Sequence, residues 1–177
     1  MTTAASAESL FTAYHDRLLR YFSRAAGERE IARDLTQEVF LRVSRTPIPS
    51  APDHQLAGWL FRIARNVVID HHRQRRRRPE TALAAAPEGT LSAQQQMGLA
   101  LKQALSKLSD LDRDIFLLRE VSGLAREEIA AACDLTPDAV RSRIHRARLE
   151  LREILAAPID AVRRQTIQPP GKPRTSR

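Results

Sequence analysis

The 177-residue sequence predicts an all-α protein made of two small helical domains joined by a flexible linker. Three observations carry this expectation. Apolar residues recur at the 3/4 spacing of helices, and neither an alternating strand pattern nor an internal repeat is present. Residues 79–95 change character abruptly, with two prolines, one glycine, many alanines and no basic residue, as in a linker at a domain boundary. Residues 124–155 read as a short helix, a tight turn and a longer, very basic helix. The expected division is 1–78 for the first domain, 79–95 for the linker, 96–157 for the second domain and 158–177 for a disordered basic tail.

Composition narrows the class. Twenty-nine Lys+Arg stand against 21 Asp+Glu, a net charge of +8, which points to a polyanion or an acidic protein surface as partner. Apolar residues make up 42%, enough to bury a core. Cys133 is the only cysteine, so an internal disulfide or a Cys-based zinc site is excluded. No apolar run approaches membrane-spanning length, and the start of the chain lacks the basic-then-apolar order of a signal peptide. A cytoplasmic protein with no membrane insertion is expected.

Taken in order, residues 1–8 are small and polar and are expected to fray. Leu10, Phe11, Tyr14, Leu18, Tyr21 and Phe22 then form a helical stripe that Gly27 can end. A second helix is expected from about Glu28 to Arg45, and Pro47, Pro49 and Pro52 forbid a helix after it. Asp53 can cap a long third helix carrying Leu56, Leu60, Ile63, Val67 and Ile69, which runs into an arginine-rich segment and stops at Pro79. Beyond the linker, Met97, Leu101, Ala104, Leu105 and Leu108 mark a fourth helix. Ser109 with Asp112 resembles a capping box, opening a fifth with Leu111, Ile115, Leu118 and Val121, which Gly123 can close. Arg126 to Cys133 is a short helix whose Ile129, Ala130 and Cys133 can pack inward, while Ala131 and Ala132 leave room for a close crossing. Thr136-Pro137-Asp138 is a helix start, with Thr136 as cap, proline at the first helical position and Asp138 at the positive helix end.

Four faces carry candidate chemistry. In the last helix Val140, Ile144, Ala147, Leu151 and Leu155 form the buried stripe. At about 100° per residue, Asp138, Ser142, His145 and Arg146 lie opposite, flanked by Arg141 and Arg148 on one side and Arg143 on the other. A core needs only the first set; the second suits a DNA groove, where Arg meets phosphates and guanine edges. This is a helix-turn-helix pattern, although an arginine-rich solvated helix has a similar composition. In the second helix Asp34, Gln37, Glu38, Leu41 and Arg45 share the face opposite Ile31, Ala32, Leu35, Val39 and Val43. An acidic patch around an exposed leucine suits a basic helical partner, and equally an ordinary solvated face. In the third helix Trp59, Arg62, Asn66 and Asp70 make one stripe able to stack on unpaired bases and bond their edges, unless Trp59 is simply core. The segment Arg73–Arg78 holds five arginines in six positions, a phosphate-binding surface if helical and a loose basic tail if not.

In this order, DLTQEVFLRV (Asp34–Val43), WLFRIARNVVIDHHRQRRR (Trp59–Arg77) and EEIAAACDLTPDAVRSRIHRAR (Glu127–Arg148) resemble the bacterial extracytoplasmic-function (ECF) RNA polymerase sigma factors, and the resemblance spans Leu10 to Leu155. It implies two helical domains, region 2 and region 4. Region 2 would bind core RNA polymerase through Asp34, Gln37, Glu38 and Leu41. It would recognise and open the −10 promoter element through Trp59, Arg62 and Asn66, with Arg73, Arg75, Arg76 and Arg77 on the backbone. Region 4 would set Asp138, Arg141, Ser142, His145 and Arg146 against the −35 element, while Arg143 and Arg148 tie the domain together or touch phosphate. An anti-sigma factor is an implied partner; no cofactor, metal or catalytic residue is implied. The chain departs from the family with Asp134 in place of the usual turn glycine, Ser109 in place of proline and Ala125-Arg126 in place of Ser-Tyr.

Three other readings compete. A stand-alone helix-turn-helix regulator leaves the Asp34/Glu38 face and the Trp59 stripe unexplained. A sigma-like decoy that occupies anti-sigma factors needs no groove-reading arginines. A metal-dependent enzyme using Asp70, His71 and His72 meets the objection that adjacent histidines point around a helix rather than to one place.

Overall fold

The computed structural model describes residues 6–77 and 93–166, with side chains for 6–77 and 95–156. Seven α-helices and no strands occur among the described residues: α1 (Ala7–Ala26), α2 (Arg29–Ser44), α3 (Asp53–Arg77), α4 (Ala93–Lys107), α5 (Asp110–Glu120), α6 (Arg126–Cys133) and α7 (Pro137–Thr166). The all-α class and its two helical parts, α1–α3 and α4–α7, follow from the apolar stripes. Each amphipathic helix has one face to hide and hides it against its neighbours.

Local chemistry sets most boundaries. At the start of α1, Ser6 accepts the N–H of Ser9 at 3.1 Å and Ser9 Oγ accepts the N–H of Ser6 at 2.9 Å, a reciprocal cap. Residues 6–8 are therefore ordered rather than frayed, and residues 1–5 lie outside the described ones. Gly27 ends α1 at φ 81°, where a side chain would be strained. Asp53 is the first residue of α3, not its cap: the carbonyl of Pro52 takes the first helical bond, from Leu56 at 3.1 Å. Ser109 accepts the N–H of Asp112 at 3.1 Å, while the Asp112 carboxylate takes the Ser109 hydroxyl at 2.7 Å instead of the backbone N–H. Aspartate is one methylene shorter than the Glu of a full capping box, which accounts for this half-formed version. Thr136 caps α7 through the N–H of Ala139 at 3.2 Å.

Three expectations need correction. Helix α4 reaches back to Ala93, inside the segment read as linker, and the remaining linker residues 79–92 lie outside the described ones. Helix α7 continues through Pro158 to Thr166, where a disordered tail was expected from 158. One proline removes one donor, and the alanine- and arginine-rich stretch around it favours the helix; residues 167–177 lie outside the described ones. Phe11 is not core: it is 47% exposed, with its ring 4.8 Å from that of Phe40.

The core runs without interruption from one half to the other. Tyr21, Phe22, Phe61, Leu60 and Val39 from α1–α3 and Ile115, Leu118, Leu124, Ile129 and Val140 from α4–α7 belong to a single buried cluster. Phe61, Ala57, Ala64 and Val68 are buried in addition to the expected α3 stripe. Helix α3 is covered on two sides, by α1 and α2 and by α6, so a one-stripe reading counts too few buried positions.

Candidate nucleic-acid interface

Helices α6 and α7 build the groove-reading unit. Ile129, Ala130, Ala132 and Cys133 of α6 and Val140, Ile144, Ala147 and Leu151 of α7 are buried, with α6 packed against α3, α5 and α7 and α7 against α4, α5 and α6. The turn is made by Asp134 at φ 57°, ψ 50°, a left-handed conformation that aspartate tolerates better than most side chains. The N–H of Leu135 donates to the carbonyl of Ala130 at 3.0 Å and closes the turn. Burial pushes the Cys133 thiol up to about 11, so it stays a neutral core group.

The arginines of α7 divide into two kinds. Arg143 donates to the Asp112 carboxylate at 2.8 Å and Arg148 to Glu120 at 2.5 Å, both on α5. These fasten α7 to its support, and the bonds from Ser109 and Arg143 hold the Asp112 carboxyl below its ordinary range despite the opposing effect of burial. Arg141 and Arg146 form no salt bridge among the described residues, and with Asp138, Ser142 and His145 they are exposed. Arg119 and Arg126 line the same recess as Arg141, Ser142, His145 and Arg148. Sequence reasoning did not select those two, because they lie before the recognition helix and only the fold brings them to its flank.

On α2, Asp34, Gln37 and Leu41 are exposed, Leu41 by 50%, while Glu38 is half-buried and receives Arg42 Nε at 2.7 Å. Arg42 also lies 3.6 Å from Asp70 of α3. The α2 face is thus an acidic and apolar surface whose Glu38 is already partly neutralised.

On α3, Trp59 is half-buried, Arg62 and Asn66 are exposed, and Trp59 and Arg62 line a recess of about 480 Å³ together with Glu127, Ala131 and Pro137 from the second half. The Trp59 edge is open to a cavity large enough for a base, but α6 forms its far wall. Arg73, Arg76 and Arg77 are exposed at the end of α3, and Arg75 pairs with Glu28 at 3.2 Å. His71 and His72 behind them have pKa values lowered, first by burial and then by neighbouring arginines. No group of three or more His, Cys, Asp or Glu suited to a metal occurs among the described residues.

The two halves are joined by contacts that composition did not reveal. Arg65 Nε of α3 donates to Asp114 of α5 at 3.1 Å, and Asp114 is 4% exposed. Arg17 Nε of α1 donates to the carbonyl of Ser122 at 2.8 Å, just past the end of α5, where unsatisfied carbonyls favour a cation. Asp114 carries a signal legible in hindsight: it stands three residues after Leu111 and beside Ile115, a carboxylate on a buried stripe that requires a partner.

Two helical bundles, one ending in a helix-turn-helix with an arginine-lined outer face, define a DNA-binding protein of the helix-turn-helix class. Residues 10–78 match Sigma-70 region 2 and residues 98–151 match Sigma-70, region 4. The ECF RNA polymerase sigma factor EcfG of Rhodopseudomonas palustris is 33% identical over 135 residues, covering 73% of this chain and 74% of the relative. The ECF RNA polymerase sigma factor SigE of Mycolicibacterium smegmatis is 35% identical over 161 residues, 84% of this chain, which spans only 61% of SigE. RNA polymerase sigma factor YlaC of Bacillus subtilis is 29% identical, with 84% and 91% covered. Among solved structures, the sigma factor RpoE in complex with the anti-sigma factor NepR from Bartonella quintana superposes with TM-score 0.59 at 25% identity, covering 84% of this chain and 96% of that one. CnrH in complex with the cytosolic domain of CnrY shares the fold, with TM-score 0.62 and 24% identity. The chain belongs to the sigma-70 family and is an extracytoplasmic-function RNA polymerase sigma factor.

Proposed function

We propose that this chain binds core RNA polymerase and directs it to promoters by engaging a −35 element with one domain and a −10 element with the other. Residues 1–78 act as region 2, 79–92 as the linker and the helices from Ala93 to Thr166 as region 4. Asp34, Gln37, Glu38 and Leu41 meet the polymerase. Trp59, Arg62 and Asn66 hold unpaired −10 bases, with Arg73, Arg75, Arg76 and Arg77 on the backbone. Asp138, Arg141, Ser142, His145 and Arg146 read the −35 duplex, with Arg119 and Arg126 added on phosphates. The observation that carries the reading is the sorting of arginines on α7: Arg143 and Arg148 are spent on Asp112 and Glu120, while Arg141 and Arg146 face outward beside Ser142 and His145. A decoy would have no use for that second pair.

The chain works without chemistry of its own, in the cytoplasm; no helix among the described residues is long and apolar enough to cross a membrane. Melting DNA without ATP requires that lost stacking be offset by contacts to unpaired bases, which a Trp/Arg/Asn stripe supplies. Each domain alone binds weakly, and the tether makes the second contact intramolecular once polymerase sets the spacing. The likeness to two chains solved with bound partners, one of them an anti-sigma factor, supports an anti-sigma protein as the regulator. The test is run-off transcription from linear DNA with purified chain and core polymerase. Promoter-specific transcripts are expected, and their absence across a genomic fragment library sinks the reading.

A further inference from the structure

The last turns of α3 meet the end of α1 and the facing sides of α4 and α5 in a strongly basic hollow, of which the promoter reading uses only the α3 side. It consists of two recesses, about 450 and 370 Å³, divided by a ridge of His72, Arg76 and Arg113, which line both. Arg65, Arg73 and Arg77 line the first, with Val68 and Ile69; Arg24, Arg75, Lys102 and Ser106 line the second. Carboxylates answer part of this charge: Arg65 is paired with Asp114 at 3.1 Å, Arg113 with Asp110 at 2.6 Å and Arg75 with Glu28 at 3.2 Å. Arg24, Arg73, Arg76, Arg77 and Lys102 form no salt bridge among the described residues. Lys102 is delivered from α4 to the end of α1, its ammonium 2.9 Å from where a Cβ on Gly27 would stand. Cations from separate helices thus converge on one concave surface and outnumber the acids beside them, whereas an ordinary solvated basic helix spreads its charges around its circumference.

We propose that this hollow is a binding site for a compact polyphosphate anion, free or carried on a nucleoside, gripped by Arg76 and Arg113 on the ridge with Arg24, Arg73 and Lys102 on either side. Guanidinium groups make paired bonds to phosphate oxygens, and the Lys102 ammonium adds a point charge. A duplex backbone lays its phosphates along a line, while a short polyphosphate packs its charges into one place. A concave surface built from α1, α3, α4 and α5 suits the second shape. Val68 and Ile69 give the first recess an apolar lining against which a base can lie. His72 supplies a reporter: burial first, then Arg113, His71 and Arg76, lowers its pKa, with Asp110 opposing them. An anion seated on Arg76 and Arg113 offsets those two charges, favours the imidazolium and so raises the His72 value. The site stands without the promoter reading; where that reading holds, the ligand takes Arg73, Arg76 and Arg77 away from −10 DNA.

The test titrates the full chain, in magnesium-free buffer, with sodium tripolyphosphate and separately with ATP. Calorimetry follows the heat, and NMR follows the His72 ring protons across pH. Saturable one-to-one binding is expected, with an upward shift of the His72 pKa in the parent chain. Arg113→Gln and Lys102→Gln should each weaken binding about tenfold, the loss of one charged hydrogen-bond donor. Arg33→Gln, the same charge change at an exposed position on α2 that lines neither recess, should keep parental affinity. Tighter binding of ATP than of tripolyphosphate assigns the site to a nucleoside polyphosphate, and equal or weaker binding assigns it to the inorganic chain. No saturable binding, an unmoved His72 or equal losses in all three variants overturns the site. So does a short duplex without promoter sequence whose affinity falls in Arg113→Gln and Lys102→Gln as much as that of tripolyphosphate, because the hollow is then a stretch of DNA track. Failure of the promoter reading shows separately, as absent transcripts with core polymerase.

Discussion

Asp114, all but removed from solvent, accepts the guanidinium of Arg65 across the seam between the two domains at 3.1 Å. One helix contributes the acid and a helix from the other half contributes the base. Burial is the largest influence on the Asp114 carboxyl and raises its pKa, and Arg65 pulls it back only in part. Removing Arg65 leaves a carboxylate in the core with no partner. Arg65→Met is expected to cost about 3 kcal/mol in urea unfolding, the low end for breaking a buried pair because Arg65 is partly solvated. Asp114→Asn keeps an acceptor for Arg65 and is expected to cost less than about 1 kcal/mol. The sign of the pH effect follows from the raised value. The folded chain takes up this proton before the unfolded one, so wild type gains stability relative to Asp114→Asn as pH falls toward 3.8.

The hydroxyl of Tyr21 is fully buried with no hydrogen-bond partner among the described residues, and burial raises its pKa well above the ordinary value. An unpaired buried hydroxyl is a standing penalty. Tyr21→Phe is therefore expected to stabilise the chain by about 1 kcal/mol, read as a higher urea midpoint at unchanged slope. A loss of stability would mean that the hydroxyl has a partner.

His71 and His72 have depressed pKa values, burial first. The unfolded chain protonates them near 6.5 before the folded chain does, so the stability they permit is present above 6.5 and lost as pH falls through and below it. Thermal unfolding at pH 7.5 and 5.5, taken as about one unit either side of that value, should give a smaller acid-induced drop in a His71→Gln/His72→Gln double variant than in wild type. Equal drops would place the sensitivity elsewhere.

The strained turn gives a fourth expectation. Asp134 sits at φ 57°, where Asp134→Gly removes the side-chain strain but adds freedom to the unfolded chain. The net gain should be about 0.5 kcal/mol, whereas Asp134→Ala should lose about 1 kcal/mol. Urea unfolding distinguishes the two signs.

On DNA, Arg141→Ala or Arg146→Ala should weaken duplex promoter binding by about 1–3 kcal/mol if bases are read. Arg126→Ala should lower affinity evenly across sequences and reduce the salt slope by about 1. Electrophoretic titration at several salt concentrations separates these; unchanged affinity in all three moves duplex reading off α7. For the polymerase face, Asp34→Arg is expected to abolish co-purification with core enzyme while leaving helicity intact.

Periodicity placed the helices and the outward set on α7, and residue type placed the caps at Ser109 and Thr136 and the glycine stop at Gly27, because each of these depends on residues within a turn or two of one another. Neither placed the start of α4 or the end of α7. The family resemblance, not periodicity, marked Arg143 and Arg148 as internal ties or phosphate contacts. What could not be read from the chain is which faces meet at long range. Gly58 against Ala131, Arg62 on the Ala131 carbonyl and Arg65 on Asp114 join residues 49 to 73 positions apart. Their pairing depends on how two amphipathic surfaces settle together, a property of shape and of the desolvation of a few polar atoms. A local pattern of apolar and charged residues does not encode it.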